Sequence, residues 1–336
     1  MFRCCNEQVG FTSRLDLPLS FMIELLRRWF IPISFSLGFA LVPLSAAEPP
    51  KGRWEIRAPM PSARTEVAAV ALGDKIYVIG GYEKNSGLVE EYDTLKNSWR
   101  RRAPLPQPLH HVGAAVARGK IYVIGGYISG KGPVDTVYEY DQAMDRWLIR
   151  APLPKPRWAL AVATLGDRIY ATGGLDRNQK NTNANEEYDP VHNRWVNRAP
   201  LPTPRDHLAV GVSNGRLYAV GGRINGRHDR NVADNEEYDP FANRWRKRAS
   251  MPSSRSGIAA ATLNGKVFVF GGESKSATYN QTESYDPTDD TWSTWAPMPT
   301  ARHGLGAAAV GRSIYVISGG PKPDATFSSA NEVFTP

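Results

Sequence analysis

The sequence predicts an all-β protein built from six copies of one four-stranded unit. Three observations carry the prediction. Glycine pairs fall at 80/81, 125/126, 173/174, 221/222, 271/272 and 319/320, in steps of 45 to 50 residues. Tryptophans at 54, 99, 147, 195, 245 and 292 keep step, each 26 residues before the next pair, or 27 for the last. Between them lie short β-branched and aromatic runs punctuated by turn residues, the signature of a repeat architecture rather than of long helices. The 30 glycines and 26 prolines of this 336-residue chain fit many strands joined by turns.

Each strand of the unit has its own signal. A proline-containing linker ("RAPMP", "RAPLP" three times, "RASMP", "WAPMP") follows each Trp and leads into the first strand. The second is a run such as "RIYATGG" or "KVFVFGG", ending in the glycine pair. Dipeptides such as "GD" and "NG" just upstream make the hairpin between them. The third ends in Tyr-Asp, as in "EEYD", "YEYD" and "ESYD", and the chain closes on "EVFT". The fourth carries the Trp after an Asn or Asp turn. Four-stranded units at this period match the blades of a β-propeller. Trp54 sits on a fourth strand without its three partners, and the last unit stops at Phe334 without its fourth. The strand at Trp54 is therefore expected to complete the last blade, closing a six-bladed ring over residues 53–336.

Glycine pair, Glu-x-Tyr-Asp, Trp and Pro linker, repeated six times, resemble the kelch family. The resemblance covers residues 53–336 and implies a propeller that serves mostly as an interaction platform. Fold alone does not fix function. Copper-radical oxidases share the scaffold and use a Tyr–Cys crosslink, but Cys4 and Cys5 are the only cysteines and both precede Met22. Exported kelch propellers that interconvert sialic acid anomers supply a second implied reading, an enzyme acting on acidic sugars.

The N-terminus reads differently. Arg27 and Arg28 precede an uncharged stretch over residues 29–47 that ends in Ser45, Ala46 and Ala47, the pattern of a secretory signal. Residues 1–47 are read as that signal, with cleavage after Ala47. Met22 stands where such a signal would start, which makes residues 1–21 an over-long upstream reading. Residues 48–52 form a short linker. The alternative is an uncleaved anchor, which Pro32 and Pro43 weaken. In either case the domain is expected outside the cytoplasm, periplasmic or extracellular, with no stable membrane span once the signal is gone. The chain carries 41 basic against 33 acidic side chains, and removal of residues 1–50 leaves the net charge at +8. An exported protein rarely meets nucleic acid, so the excess is assigned to an outer stripe of Arg57, Arg102, Arg150, Arg198 and Arg248 that guards the edge strands. Attraction to an anionic envelope or glycan stays open.

The repeated residues read first as fold. A glycine pair that cradled phosphate would need a following helix N-terminus, and another strand follows instead. The Glu pairs at 90/91, 186/187 and 236/237 recur between blades and put neighbouring residues on opposite faces, which argues against paired acid–base work. Function is expected on the rim that carries the blade linkers and the loops between second and third strands: "YEKNSG", "YISGKGP", "LDRNQKNTN", "RINGRHDRN" and "ESKSATYNQ". At the start of each inner strand stand Arg64, Leu109, Arg157, Arg205, Arg255 and Arg302. One reading makes the five arginines a cationic ring at the channel mouth, gripping carboxylate or sulfate. The other makes each a brace that pairs with a Glu of its own or the next blade. Positions that vary between blades are the sharper candidates: Tyr82, Tyr127, Trp158, Asp206, Arg223 and Glu273, with His207. The residue after each pair is taken as Tyr82, Tyr127, Leu175, Arg223, Glu273 and Pro321. His110, His207 and His303 invite a three-histidine metal site, but His207 is one position out of phase, so no metal and no cofactor is assigned. The expected partner is a protein or glycan on the rim. An acidic small molecule in the arginine-lined mouth is the alternative.

Overall fold

A computed structural model describes residues 51–82 and 87–336. The expected signal at 1–47, most of the linker at 48–52 and residues 83–86 of the first long loop lie outside the described residues. Among those described, every regular element is a strand, and no helix is long and apolar enough to cross a membrane.

Six four-stranded antiparallel sheets form the blades of a β-propeller. Blade 1 runs Ala68–Leu72, Lys75–Ile79, Val89–Asp93 and Ser98–Arg102, in that spatial order. Blades 2 to 5 repeat the plan. Blade 6 takes Gly306–Val310, Ser313–Ile317 and Asn331–Thr335, then Arg53–Ile56 as its outer strand. The seam is therefore closed as the sequence predicts, with Trp54 opposite Phe334 and Arg53 opposite Thr335. First strands neighbour one another in cyclic order and surround a central channel. They are rich in small residues ("GAAVA", "GAAAV"), because six strands converge there. A Cβ on Gly306 would stand 2.5 Å from the Ala69 Cβ of the next blade.

Aromatic pairs fill the outer part of each blade. Tyr92 lies opposite Trp99 with ring centroids 4.9 Å apart, and Tyr140–Trp147, Tyr188–Trp195 and Tyr238–Trp245 repeat it. Each Trp also donates its indole N–H to the linker that leaves the preceding blade: Trp99 to the Ala58 carbonyl, Trp147 to Ala103, Trp195 to Ala151. Trp54 donates to Ala296 at 2.8 Å and so continues the series across the seam.

The glycine pair is a tight corner. Gly80 and Gly81 have φ of 65° and 113°, and a Cβ on Gly81 would stand 2.9 Å from the Thr65 carbonyl oxygen. The sixth copy corrects the sequence register. Ser318 (φ 66°) and Gly319 (φ 101°) occupy the two corner positions, and Gly320 bridges to His303 as Tyr82 bridges to Thr65. The variable position of blade 6 is thus Gly320, not Pro321. The 27-residue interval after Trp292 was the trace of this shift, since Ser318 restores 26.

Candidate functional site

The five repeated arginines lie inside the blades. Arg64, Arg157, Arg205, Arg255 and Arg302 are each at most 1% exposed. Each guanidinium turns to the first Glu of its own blade's third strand: Arg64 to Glu90 at 2.8 Å, Arg157 to Glu186, Arg205 to Glu236 at 2.5 Å, Arg255 to Glu283 at 2.5 Å and Arg302 to Glu332 at 2.6 Å. Carbonyls of the corner and second strand take further donors. Arg205 bonds the Gly221, Thr203 and Ala219 oxygens at 2.7 to 2.8 Å. These groups knit the linker to the blade, so the cationic ring gives way to a set of braces. The physical reason is the low dielectric of the site, which holds a buried guanidinium against the nearest carboxylate. Blade 2 changes both members at once, with Leu109 and Tyr138 packed in one apolar cluster.

The second Glu of each pair faces the other way. Glu139 accepts from Tyr122 at 2.9 Å and from Arg150 at 2.7 Å, and Glu187 repeats this with Tyr170 and Arg198. The outer arginines are thus partly neutralised on the blade edge. Blade 5 again changes the whole set, to Phe268, Ser284 and Trp295, whose indole donates to the Ser284 hydroxyl.

What remains at the mouth is built two positions after each brace. Glu66, His111, Ala159, His207, Gly257 and Gly304 all have left-handed φ, between 50° and 63°. Their backbones form a closed belt around the channel. His111 N–H donates to Glu66 O, Ala159 to His111, His207 to Ala159, Gly257 to His207 and Gly304 to Gly257, at 2.8 to 3.1 Å. Val67 N–H closes the circle onto Gly304 O at 3.3 Å. The belt aims its few large side chains at one point. Glu66 and His111 carry no signal in the sequence beyond their offset, two positions after the brace row and in phase with His207.

Around the belt the mouth divides into two arcs. Over blades 1 to 3 it is aromatic. Tyr82 stands 5.0 Å from His110, His110 5.3 Å from Tyr127, Tyr127 5.1 Å from Trp158, and Trp158 4.9 Å from His111. Among the described residues the buried Trp158 indole N–H finds no acceptor. Over blades 4 to 6 the mouth is charged. Arg223 reaches Glu273 at 2.8 Å, Asp206 at 3.3 Å and His207 at 3.0 Å, and His207 faces Asp206 at 2.5 Å through its other nitrogen. His228 adds a contact to Glu273 at 3.0 Å. A cavity of about 190 Å3 opens here, lined among others by Glu66, Tyr82, Arg223, Glu273 and His303.

Burial pushes the His110 imidazole down to about 4, and burial likewise holds His111 well below its usual range despite the Glu66 carboxylate. His110 is neutral at pH 7. Burial would raise the Glu66 carboxyl, but the imidazoles of His111, His303 and His207 outweigh it and keep it well below the carboxylate range. His303 goes up instead: burial lowers it, and the carboxylates of Glu66 and Glu273 and the Asp324 carbonyl more than compensate. The mouth therefore holds fixed charges of both signs beside neutral, polarisable rings.

Of the residues expected to bind, the fold brings Tyr82, Tyr127, Trp158, His207 and Arg223 together and sends the five arginines elsewhere. His110, His207 and His303 fall on two different rows. Among the described residues, the donor sets that converge within 4.8 Å are Glu66–His111–His207 and Glu66–Glu273–His303.

The KLHDC2/KLHL20/DRC7 Kelch-repeats domain model matches residues 51–222 and 161–334. No curated protein matches the chain. Among solved structures, that of YjhT is similar with a TM-score of 0.74 at 15% identity, covering 82% of this chain and 96% of that one. At that identity the likeness is one of fold.

Proposed function

This chain belongs to the kelch-repeat family, and from that premise we propose that it is an exported binding module. It recognises a protein or glycan through the rim that carries the blade linkers and the long loops. The observation that carries this is the divided mouth. Repeated polar residues are spent on the braces and edges, whereas the non-repeating ones converge on one solvent-facing cup. An aromatic arc beside fixed charges suits a ligand with one flat, weakly polar face and a few hydrogen-bonding groups, such as a sugar ring or the side chains of an exposed loop. The reading of residues 1–47 as a signal supports a partner in the periplasm or outside the cell.

The acidic-sugar enzyme has less to stand on than the sequence implied. Of the six candidate arginines, Arg223 is the one that lines the cup, and it is already flanked by Asp206 and Glu273.

The test is capture from the exported fraction and from an array of glycans. Trp158→Ala and Tyr82→Ala are each expected to weaken the captured interaction about 10-fold or more. Phe241→Ala, on an exposed turn of the opposite rim, is expected to leave it unchanged. Equal losses from all three would sink the rim assignment. Turnover of sialic acid anomers by the wild type, lost in Arg223→Ala, would replace the binding role with the enzyme. Mass spectrometry of the exported protein is expected to give Glu48 as the first residue, and an intact N-terminus would overturn the cleaved signal.

A further inference from the structure

The Glu66–Glu273–His303 cluster is distinguished by what its atoms do not bond. His303 is 3% exposed and Glu273 2%. Among the described residues, neither His303 Nδ1 nor Glu273 Oε2 makes a hydrogen bond. Such groups are rare in a folded interior and call for an explanation. The two atoms face each other at 3.4 Å, and His303 Nδ1 is also 3.4 Å from Glu66 Oε1. Both distances are long for a hydrogen bond, which favours 2.7 to 3.2 Å. They are the right length for neighbouring ligands of one ion, since two donors about 2.05 Å from a tetrahedral centre stand roughly 3.3 Å apart.

The surroundings orient the donors in the same sense. His303 Nε2 lies 3.1 Å from the Lys322 carbonyl oxygen and 3.0 Å from that of Asp324. Two carbonyls can only accept, so Nε2 carries a proton, and Nδ1 is the ring nitrogen that faces the two carboxylates. Glu273 is held through its other oxygen by Arg223 and His228, which leaves Oε2 turned inward. Gly304 keeps the space, because a Cβ there would stand 2.5 Å from Glu66 Oε1.

We infer that Glu66, Glu273 and His303 bind a divalent first-row transition-metal ion at the channel mouth. One nitrogen and two carboxylate oxygens suit Zn2+, Co2+ or Mn2+. Three protein donors leave a fourth position facing the 190 Å3 cavity, where an exchangeable ligand would sit. Glu66 also stands 3.3 Å from His111 Nε2 through its other oxygen, so its carboxylate ties the ion to the belt. The inference is independent of the partner proposed above, because the metal can be titrated with no partner present.

The experiment is calorimetric titration of the untagged full chain, stripped with chelator, with Zn2+ and separately with Co2+. One ion per chain is expected. His303→Ala and Glu273→Gln are each expected to weaken it about 100-fold or more. Far-ultraviolet circular dichroism reports whether each variant is folded. If either is not, the wild-type Co2+ absorption spectrum decides, with intense bands expected for four- or five-coordination. No binding by the wild type overturns the site, as does equal affinity in folded variants. An 15N spectrum showing His303 still doubly protonated under excess Zn2+ would also overturn it, leaving an imidazolium held between two carboxylates.

Discussion

Arg205→Ala is expected to destabilise the protein by about 3–5 kcal/mol, and Glu236→Gln by a comparable amount. Each removes one partner of a pair that is 0% exposed on both sides. The remaining charge then has no neighbour of opposite sign, and three backbone carbonyls lose their donor when Arg205 goes. The paired replacement Arg205→Leu with Glu236→Tyr is expected to cost far less than the two single changes together. Blade 2 is the reason for that expectation. It carries Leu109 and Tyr138 at the same two positions, both buried in the apolar cluster that blade 2 shares with blade 1. A buried ion pair gains little over well-packed apolar groups, although breaking it is expensive. Urea unfolding of wild type, Arg205→Leu, Glu236→Tyr and the double gives the coupling directly. If the double mutant is as unstable as the sum of the singles, the braces contribute net stability and blade 2 relies on compensation elsewhere.

Trp54→Ala is the second large effect, expected at about 3–5 kcal/mol. The side chain sits 5.1 Å from the Phe334 ring and 5.9 Å from Phe270, centroid to centroid, and bonds the Ala296 carbonyl. Trp99 has a comparable place in blade 1, packed on Tyr92 and bonded to Ala58. The two differ in what they join. Trp99 lies on a strand whose hairpin partner precedes it in the chain, whereas Trp54 holds a strand to a partner more than 270 residues away. Loss of Trp54 therefore opens the ring, and its strand has no tight turn to bring it back. Hydrogen exchange along Asn331–Thr335 should accelerate in Trp54→Ala far more than exchange along Val89–Asp93 does in Trp99→Ala. Equal acceleration at both places would mean that the seam is no weaker than any other blade.

The fold was legible because its signals are local and repeated. A corner needs glycine, a hairpin needs Asn-Gly or Gly-Asp, and a strand buried between blades needs β-branched and aromatic residues. Six copies of each make the period plain, and the orphan strands at the two ends imply closure. The sixth corner departs from the letter pattern because Ser318 stands in place of the first glycine, and only the 26-residue interval from Trp292 marks its position. The braces were harder. Arg64 and Glu90 are 26 residues apart, Arg157 and Glu186 are 29, and Arg205 and Glu236 are 31, because the loop between them varies. No fixed spacing advertises the pair, and recurrence alone is compatible with a ring of binding cations.

By itself the sequence determined six blades, their strand order, the strand that closes them and the rim on which variation concentrates. Repetition and turn chemistry are properties of the chain, and they survive without coordinates. Only the tertiary structure decided which way the polar side chains point. A left-handed residue two places after each brace position, Leu109 in blade 2 included, turns Glu66, His111 and His207 toward the axis, while the five arginines turn back into their blades. That choice depends on backbone sign and on a carboxylate arriving from another strand, and neither is written in the order of the residues.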